Sequence, residues 1–184
     1  MRRLWRGLRG RLRKPDRRRV PATPEELASR IDHTNLRPDA TPSSIARTVK
    51  SAMDYGFRGV CIPLPYVRMA KEILSGANIR LITVVGFPLG FSPTRIKVEE
   101  ARLAERYGAD EIDVVMNIGL FKSDKVEALR DIKAVVEEVG IPVKVIIETS
   151  YLTPEEICDA CVLVEESGAF CVKTNTGFGL RGVT

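Results

Sequence analysis

The chain carries one histidine, His33, in 184 residues, and only four cysteines. A structural zinc needs four ligands, so a single histidine leaves few ways to build such a site. The one C-x-x-C pair, Cys158 with Cys161, follows Thr153-Pro154-Glu155-Glu156, which reads as a helix start. The two thiols then stand at i and i+3 inside a helix and are expected to face the core, forming neither a metal site nor a disulfide. No metal and no cofactor is expected. Nor is there an apolar run approaching the ~20 residues that a bilayer-spanning helix requires, which points to a soluble cytoplasmic protein without membrane contact. An excess of basic charge is missing from the body of the chain. Residues 1–19 hold ten Arg and Lys against one acid, Asp16, and that local charge of +9 leaves −4 for the rest of a chain whose total is +5. A nucleic-acid groove on the folded part is therefore excluded. Within the basic segment Leu4, Leu8 and Leu12 fall at helical spacing beside Trp5. Arginines surround that stripe, Gly7 and Gly10 weaken a helix, and serine is absent, so residues 1–20 are expected to be a disordered extension without catalytic role.

What remains, residues 21–184, belongs to a chain with 44% hydrophobic content and suits one domain or a large part of one. Strand-like runs are expected at Arg30–Thr34, Gly59–Ile62, Arg80–Val85, Glu111–Val115, Val143–Glu148 and Ala169–Thr174. Helical periods fall between them, at Pro42–Tyr55, Pro65–Ser75, Pro93–Tyr107, Lys122–Val139 and Pro154–Ser167. Pro42, Pro93 and Pro154 each follow Thr or Ser, the chemistry of a cap and first turn. Gly56, Gly108, Gly140 and Gly168 follow four of the helices, where a left-handed residue is wanted. Strands alternating with helices at roughly thirty-residue steps imply a parallel sheet.

Two parallel architectures compete, an open doubly wound sheet and an eight-stranded barrel. A sheet covered on both faces should have apolar strands throughout. Here several strands carry ionisable groups at alternate positions: Glu111 and Asp113 with Val115, Lys144 and Glu148 with Ile146, Lys173 with Cys171, and Asp32 with Thr34. In a barrel one face of every strand points inward and its ends line the catalytic mouth, so these charges become neighbours that can pair. The pattern favours an α/β fold of the TIM (β/α)8 barrel type, with about six of eight strands present. Lys173 ends the apolar run Phe170-Cys171-Val172 and opens the turn Thr174-Asn175-Thr176-Gly177. An ordinary lysine amine is unprotonated in only about one molecule in two thousand at neutral pH. Partial burial or a neighbouring cation removes that handicap and makes a nucleophile of it.

At this point the residues resemble the deoxyribose-phosphate aldolase family. Lys173-Thr174-Asn175-Thr176-Gly177-Phe178-Gly179 is similar to that family's Schiff-base strand and following loop, and Gly108-Ala109-Asp110-Glu111-Ile112-Asp113-Val114-Val115 to its acid/base strand. Lys144-Val145-Ile146-Ile147-Glu148-Thr149 resembles its fifth strand, Ile31-Asp32-His33-Thr34 with Pro38-Asp39-Ala40-Thr41 its first strand and loop, and Val85-Gly86-Phe87-Pro88-Leu89-Gly90 its third loop. The resemblance spans residues 28–184 in the right order. It implies a TIM barrel and a metal-free class I aldolase that cleaves 2-deoxyribose 5-phosphate to acetaldehyde and glyceraldehyde 3-phosphate. On that basis Lys173 would form the imine and Asp113 would move protons through a water. Asp32, Thr34, Lys144 and Cys61 would support the pair, and Thr176 and Gly177 would bind substrate, Gly177 offering its amide to the phosphate. The implied partner is a small phosphosugar, and a homo-oligomer is compatible with it. The residue chemistry agrees: an imine is an electron sink for breaking a carbon–carbon bond, and a nearby carboxylate can transfer protons.

The sequence departs from the family's pattern in three places. Pro63-Leu64-Pro65 follows Cys61-Ile62 where the family usually has Asn-Pro, and Asn175 replaces a more usual serine. The third is the stop at Thr184, eleven residues past Lys173. The remainder of a family barrel would hold a second lysine that lowers the pKa of the first, and the glycine-rich phosphate loops. The expectation is a chain that is poorly soluble or weakly active until a further segment or a partner closes the barrel, because the first and sixth strands would be unpaired edges. Rival readings are a truncated, non-catalytic binding or regulatory subunit, and another class I aldolase of the same barrel type. Gly177-Phe178-Gly179-Leu180-Arg181-Gly182 also matches G-x-G-x-x-G, but without a following helix and acidic residue it is expected to be a flexible loop after the sixth strand.

Overall fold

A computed structural model describes residues 23–182. The expectation for residues 1–20 lies outside the described residues. Six strands form one parallel sheet in the order of the chain: β1 (Asp32–Thr34), β2 (Gly59–Cys61), β3 (Arg80–Val85), β4 (Glu111–Val115), β5 (Val143–Ile146) and β6 (Cys171–Lys173). A doubly wound sheet reverses its strand order at a switch point; this one runs β1 to β6 without reversal, as a barrel wall does. The sheet is also strongly curled. Asp32 on β1 and Lys144 on β5 are four strands apart, about 19 Å in a flat sheet, yet Lys144 Nζ lies 3.0 Å from Asp32 Oδ2. The fold is a curled half-barrel.

Helices connect the strands: α1 (Pro24–Ala28), α2 (Pro42–Asp54), α3 (Val67–Ile73), α4 (Thr94–Arg106), α5 (Ile118–Ser123), α6 (Lys125–Glu138) and α7 (Pro154–Glu166). The alternation read from the sequence divides the strands cleanly. Val60, Leu81, Ile112, Val114 and Val145 face outward into one core with Ile45 and Val49 of α2, Ala101 and Ala104 of α4, Ile132 and Val135 of α6, and Leu163 of α7. Cys61, Ile82, Asp113 and Lys144, the intervening residues, are buried outside that core, on the concave side. Each of the large aliphatic side chains contributes about 1.5–3 kcal/mol by leaving water. Truncating a central one, Ile112 to alanine, costs about 2–5 kcal/mol.

Caps set the helix starts. Thr41 and Ser44 form a reciprocal capping box ahead of α2, and Thr153 and Glu156 another ahead of α7, each with proline in the first turn. At α4 the expectation fails: Pro93 is itself the cap, with no side-chain cap bond, and the helix begins at Thr94. The single helix expected at Lys122–Val139 is two, because Asp124 breaks it. Its carboxylate accepts from Val126 N and Glu127 N at 3.0 and 3.1 Å, which starts α6, while Asn117 caps the unexpected α5 through Leu120 N. The stretch expected as a helix from Pro65 begins as a 3-10 turn at Leu64–Tyr66. Gly56, Gly108 and Gly168 take the left-handed conformation expected after their helices; Gly140 does not, because Val139 is already extended and the Gly140 amide is taken by Glu105 Oε1. Cys158 is exposed and Cys161 half-buried, a correction to the core-facing expectation. The buried residues of α7 are Ala160, Val162, Leu163 and Val164, and Cys158 precedes all of them, toward the start of the helix.

One buried ion pair was not legible in the sequence. Lys97 of α4 is fully buried, with its ammonium 2.7 Å from Asp131 Oδ2 of α6 and 3.1 Å from the Val115 carbonyl oxygen. Thr94 donates to the other Asp131 oxygen at 2.7 Å. Burial pushes the Lys97 amine below its ordinary value against the pull of Asp131.

Candidate active site

The inward ends of β1, β4, β5 and β6 bring the charged side chains together. Lys173 Nζ is 2.5 Å from Asp113 Oδ2. The Asp113 side chain is fully buried, whereas 33% of Lys173 remains exposed, so the amine is open to a small molecule and its carboxylate is not. Lys144 occupies the middle of the cluster, with its ammonium 2.9 Å from Glu111 Oε2, 3.0 Å from Asp32 Oδ2 and 3.1 Å from Asp113 Oδ1. The Lys144 ammonium is the cation nearest to both Glu111 Oε2 and Asp113 Oδ1, two buried oxygens of the cluster. Burial opposes the Lys144 charge, but Asp113 and Asp32 outweigh it and hold the amine above its ordinary value, a fixed cation. Burial likewise opposes the Asp32 carboxylate, and Lys144 and Arg58 overcome it, keeping the group below its ordinary value of 3.8.

Arg58, on the residue before β2, closes the network. It donates to Asp32 Oδ1 at 2.7 Å and to Glu111 Oε1, while Arg80 stands 3.4 Å from the same Glu111 oxygen. Gly59 makes this possible, because a Cβ there would come within 2.9 Å of both Asp32 Oδ1 and Ile82 Cδ1. Arg58 escaped sequence reasoning; it stands just outside the expected strand at the parity of the outward-facing Val60, so the alternation carried no signal for it.

The other candidate residues are placed as follows. Cys61 is buried on the same concave side, where burial first and the Asp113 charge second push its thiol up to about 12, so it stays protonated. Thr34 is exposed, and its hydroxyl donates to the Asp32 carbonyl oxygen at 2.9 Å, not to a charged group. Thr176 gives both its amide and its hydroxyl to Glu148 Oε2, at 3.0 and 2.5 Å. Gly177 is exposed and left-handed, with open space where a Cβ would be. Glu148 corrects the strand assignment: β5 ends at Ile146, and Glu148 sits beyond it with a φ of 49°, its carboxylate turned toward the loop after β6. Residues 177–181 are bends, not a helix.

A cavity of about 290 Å³ opens at the C-terminal ends of the strands, lined by Leu89, Phe91, Asn117, Tyr151, Thr176 and Phe178 among others. Lys173 and Asp113 do not line it; Thr176, three residues beyond the lysine in the chain, does. Phe178 meets Phe87 edge-to-face at 5.4 Å, which brings the loop after β6 against the loop after β3. Among the described residues no group of three or more His, Cys, Asp or Glu is arranged to hold a metal ion, and no helix is long and apolar enough to cross a membrane.

No family model matches the chain. Among curated proteins it is 50% identical over 164 residues to the deoxyribose-phosphate aldolase of Methanothermobacter thermautotrophicus, covering 88% of this chain and 73% of that protein. It is 49% identical over 162 residues to the deoxyribose-phosphate aldolase of Thermotoga maritima, covering 87% and 65%. In structure it superimposes on the tetrameric deoxyribose phosphate aldolase of Aeropyrum pernix with a TM-score of 0.82 at 33% identity, over 88% of this chain and 69% of that one. Sequence identity at this level, over 88% of the chain and matched by backbone superposition, has one meaning: the chain belongs to the deoxyribose-phosphate aldolase family.

Proposed function

We propose that the chain is a class I aldolase that cleaves 2-deoxyribose 5-phosphate to acetaldehyde and glyceraldehyde 3-phosphate through an imine on Lys173. The observation that carries this reading is the 2.5 Å pairing of an accessible amine on β6 with a fully buried carboxylate on β4, across the inward face of β5. The Lys173 amine attacks the substrate carbonyl, and loss of water leaves an iminium. That iminium has the charge of the ammonium it replaces, so the field of Asp113 and Lys144 need not reorganise. The iminium then accepts the electron pair of the breaking carbon–carbon bond, releasing glyceraldehyde 3-phosphate, and the remaining enamine takes a proton at carbon before hydrolysis frees acetaldehyde. Asp113, within reach of the amine nitrogen, shuttles protons through a water, with the Lys144 ammonium 3.1 Å from its other oxygen.

The named relatives support the substrate, and because the chain spans 65% to 73% of their length, the complete activity is a reading of this chain and not a transfer. A small phosphosugar in the cytoplasm, and assembly into a homo-oligomer as in the tetrameric relative, belong to the same reading. The test is reductive trapping. Borohydride added with acetaldehyde to the full chain is expected to leave a stable alkyl adduct on Lys173, detected by mass spectrometry. A folded chain that gains no adduct would favour a non-catalytic binding or regulatory subunit.

A further inference from the structure

The loop that follows Lys173 is fixed by one carboxylate that the chemistry above does not use. Glu148 is 2% exposed and accepts four hydrogen bonds. Ser150 Oγ and Asn175 Nδ2 donate to Oε1 at 2.8 and 2.6 Å, and the Thr176 amide and hydroxyl donate to Oε2 at 3.0 and 2.5 Å. Three of the four come from the two residues that stand second and third after Lys173. The Thr176 oxygen in turn accepts from the Phe178 amide at 3.0 Å, and the Asn175 oxygen accepts from Thr149 at 2.8 Å. Backbone bonds continue the β5–β6 ladder into the same place, Ile147 N to Lys173 O and Thr149 N to Thr174 O, both at 3.0 Å.

The chain accepts strain to build this. Glu148 is the one non-glycine residue with positive φ among the described residues, a conformation that is strained for a side chain with a Cβ and persists where the surroundings over-determine it. Gly179 completes the enclosure: a Cβ there would meet Glu148 Oε1 and Ser150 Oγ at 2.6 Å each. Burial alone would raise the Glu148 carboxyl, and the bonds from Thr176, Ser150 and Asn175 instead hold it below its ordinary value. The acceptor is thus an anion matched to four donors, and a neutral side chain cannot replace it.

We infer that Glu148 is a positioning residue for the Schiff-base lysine, clamping residues 174–179 so that β6 presents the Lys173 amine to Asp113 and Phe178 is held over the mouth. The inference rests on the proposed function, and the experiment separates the two. Glu148→Gln turns an amide nitrogen against two of the donors. It is expected to slow borohydride trapping of acetaldehyde on Lys173 by about ten- to a hundredfold, the scale of a displacement of about 1 Å near a reacting centre. Adding Asn175→Asp supplies an acceptor for that amide, and the pair E148Q/N175D is expected to recover most of the trapping rate, which a loss through general destabilisation would not do. Asn175→Asp alone puts two carboxylates together. It is expected to slow trapping at neutral pH, with the deficit relative to the unmodified chain shrinking as acid protonates one of them. Should E148Q fail to fold, that single variant decides. Trapping at the unmodified rate in E148Q, or in N175D at every pH, would overturn the clamp while leaving the aldolase reading intact. No trapping in the unmodified chain would instead remove the aldolase reading.

Discussion

Two buried lysine–carboxylate arrangements occur in this molecule, and they differ in access and in the number of charges they bring together. Lys97 and Asp131, between α4 and α6, are a closed pair: the lysine is fully buried, its donors are spent on Asp131 and the Val115 carbonyl, and Thr94 takes the remaining carboxylate oxygen. Inside the half-barrel, three carboxylates (Asp32, Glu111 and Asp113) face the cations of Arg58, Lys144 and Lys173, and the last of these is a third exposed. A sealed pair contributes to packing and specificity but cannot meet a substrate. A network that leaves one amine at its accessible edge, beside a buried carboxylate that a second lysine also contacts, can do chemistry. Access and the count of neighbouring charges, not burial by itself, distinguish a reactive lysine from a structural one.

The comparison can be broken most sharply at Lys173. Lys173→Met is expected to abolish turnover of 2-deoxyribose 5-phosphate, with a fall of about 10⁴-fold or more, because no other group supplies the nucleophile. Asp113→Asn should be less severe, lowering kcat by about 10²- to 10⁴-fold, the range for loss of a positioned acid/base group. Lys97→Met should do the opposite. It leaves Asp131 buried without its partner and is expected to cost about 3–5 kcal/mol in denaturant unfolding, while the Lys173 trapping rate of the folded fraction stays unchanged. The smallest effect expected is in acid. The Asp32 carboxyl is held below its ordinary 3.8, so its contribution to stability is fully present above that value and is lost as pH falls through the lower folded value. The stability gap between the unmodified chain and Asp32→Asn should therefore hold well above pH 3.8 and narrow as the pH falls below it.

How much of this was legible in the sequence depended on the range of the interaction involved. β3 and β4 have the bounds their alternation implied, and the inward parity of Glu111, Asp113, Lys144 and Lys173 identified the barrel before any contact was known. Alternation works there because one face meets helices and the other meets charge. Where a side chain overrides the local period, the pattern misleads. Asp124 reads as an ordinary helical residue until its carboxylate caps α6, and Glu148 continues the period-two count of β5 although its backbone has left the strand. The clamp on the β6 loop was invisible for the same reason, since Glu148 finds Asn175 and Thr176 27 and 28 residues away. Nothing in the helical pattern of residues 93–107 singles out Lys97, and only the fold supplies Asp131, 34 positions on.

The most direct test of the central distinction is a lysine-resolved map of reductive alkylation. The full chain would be treated with acetaldehyde and a limiting amount of borohydride, digested, and the adduct quantified at each lysine. The account predicts rapid modification of Lys173, with Lys144 and Lys97 unmodified while the protein remains folded. Modification of Lys144 or Lys97 ahead of Lys173, or a uniform low level on surface lysines with none at Lys173, would contradict it.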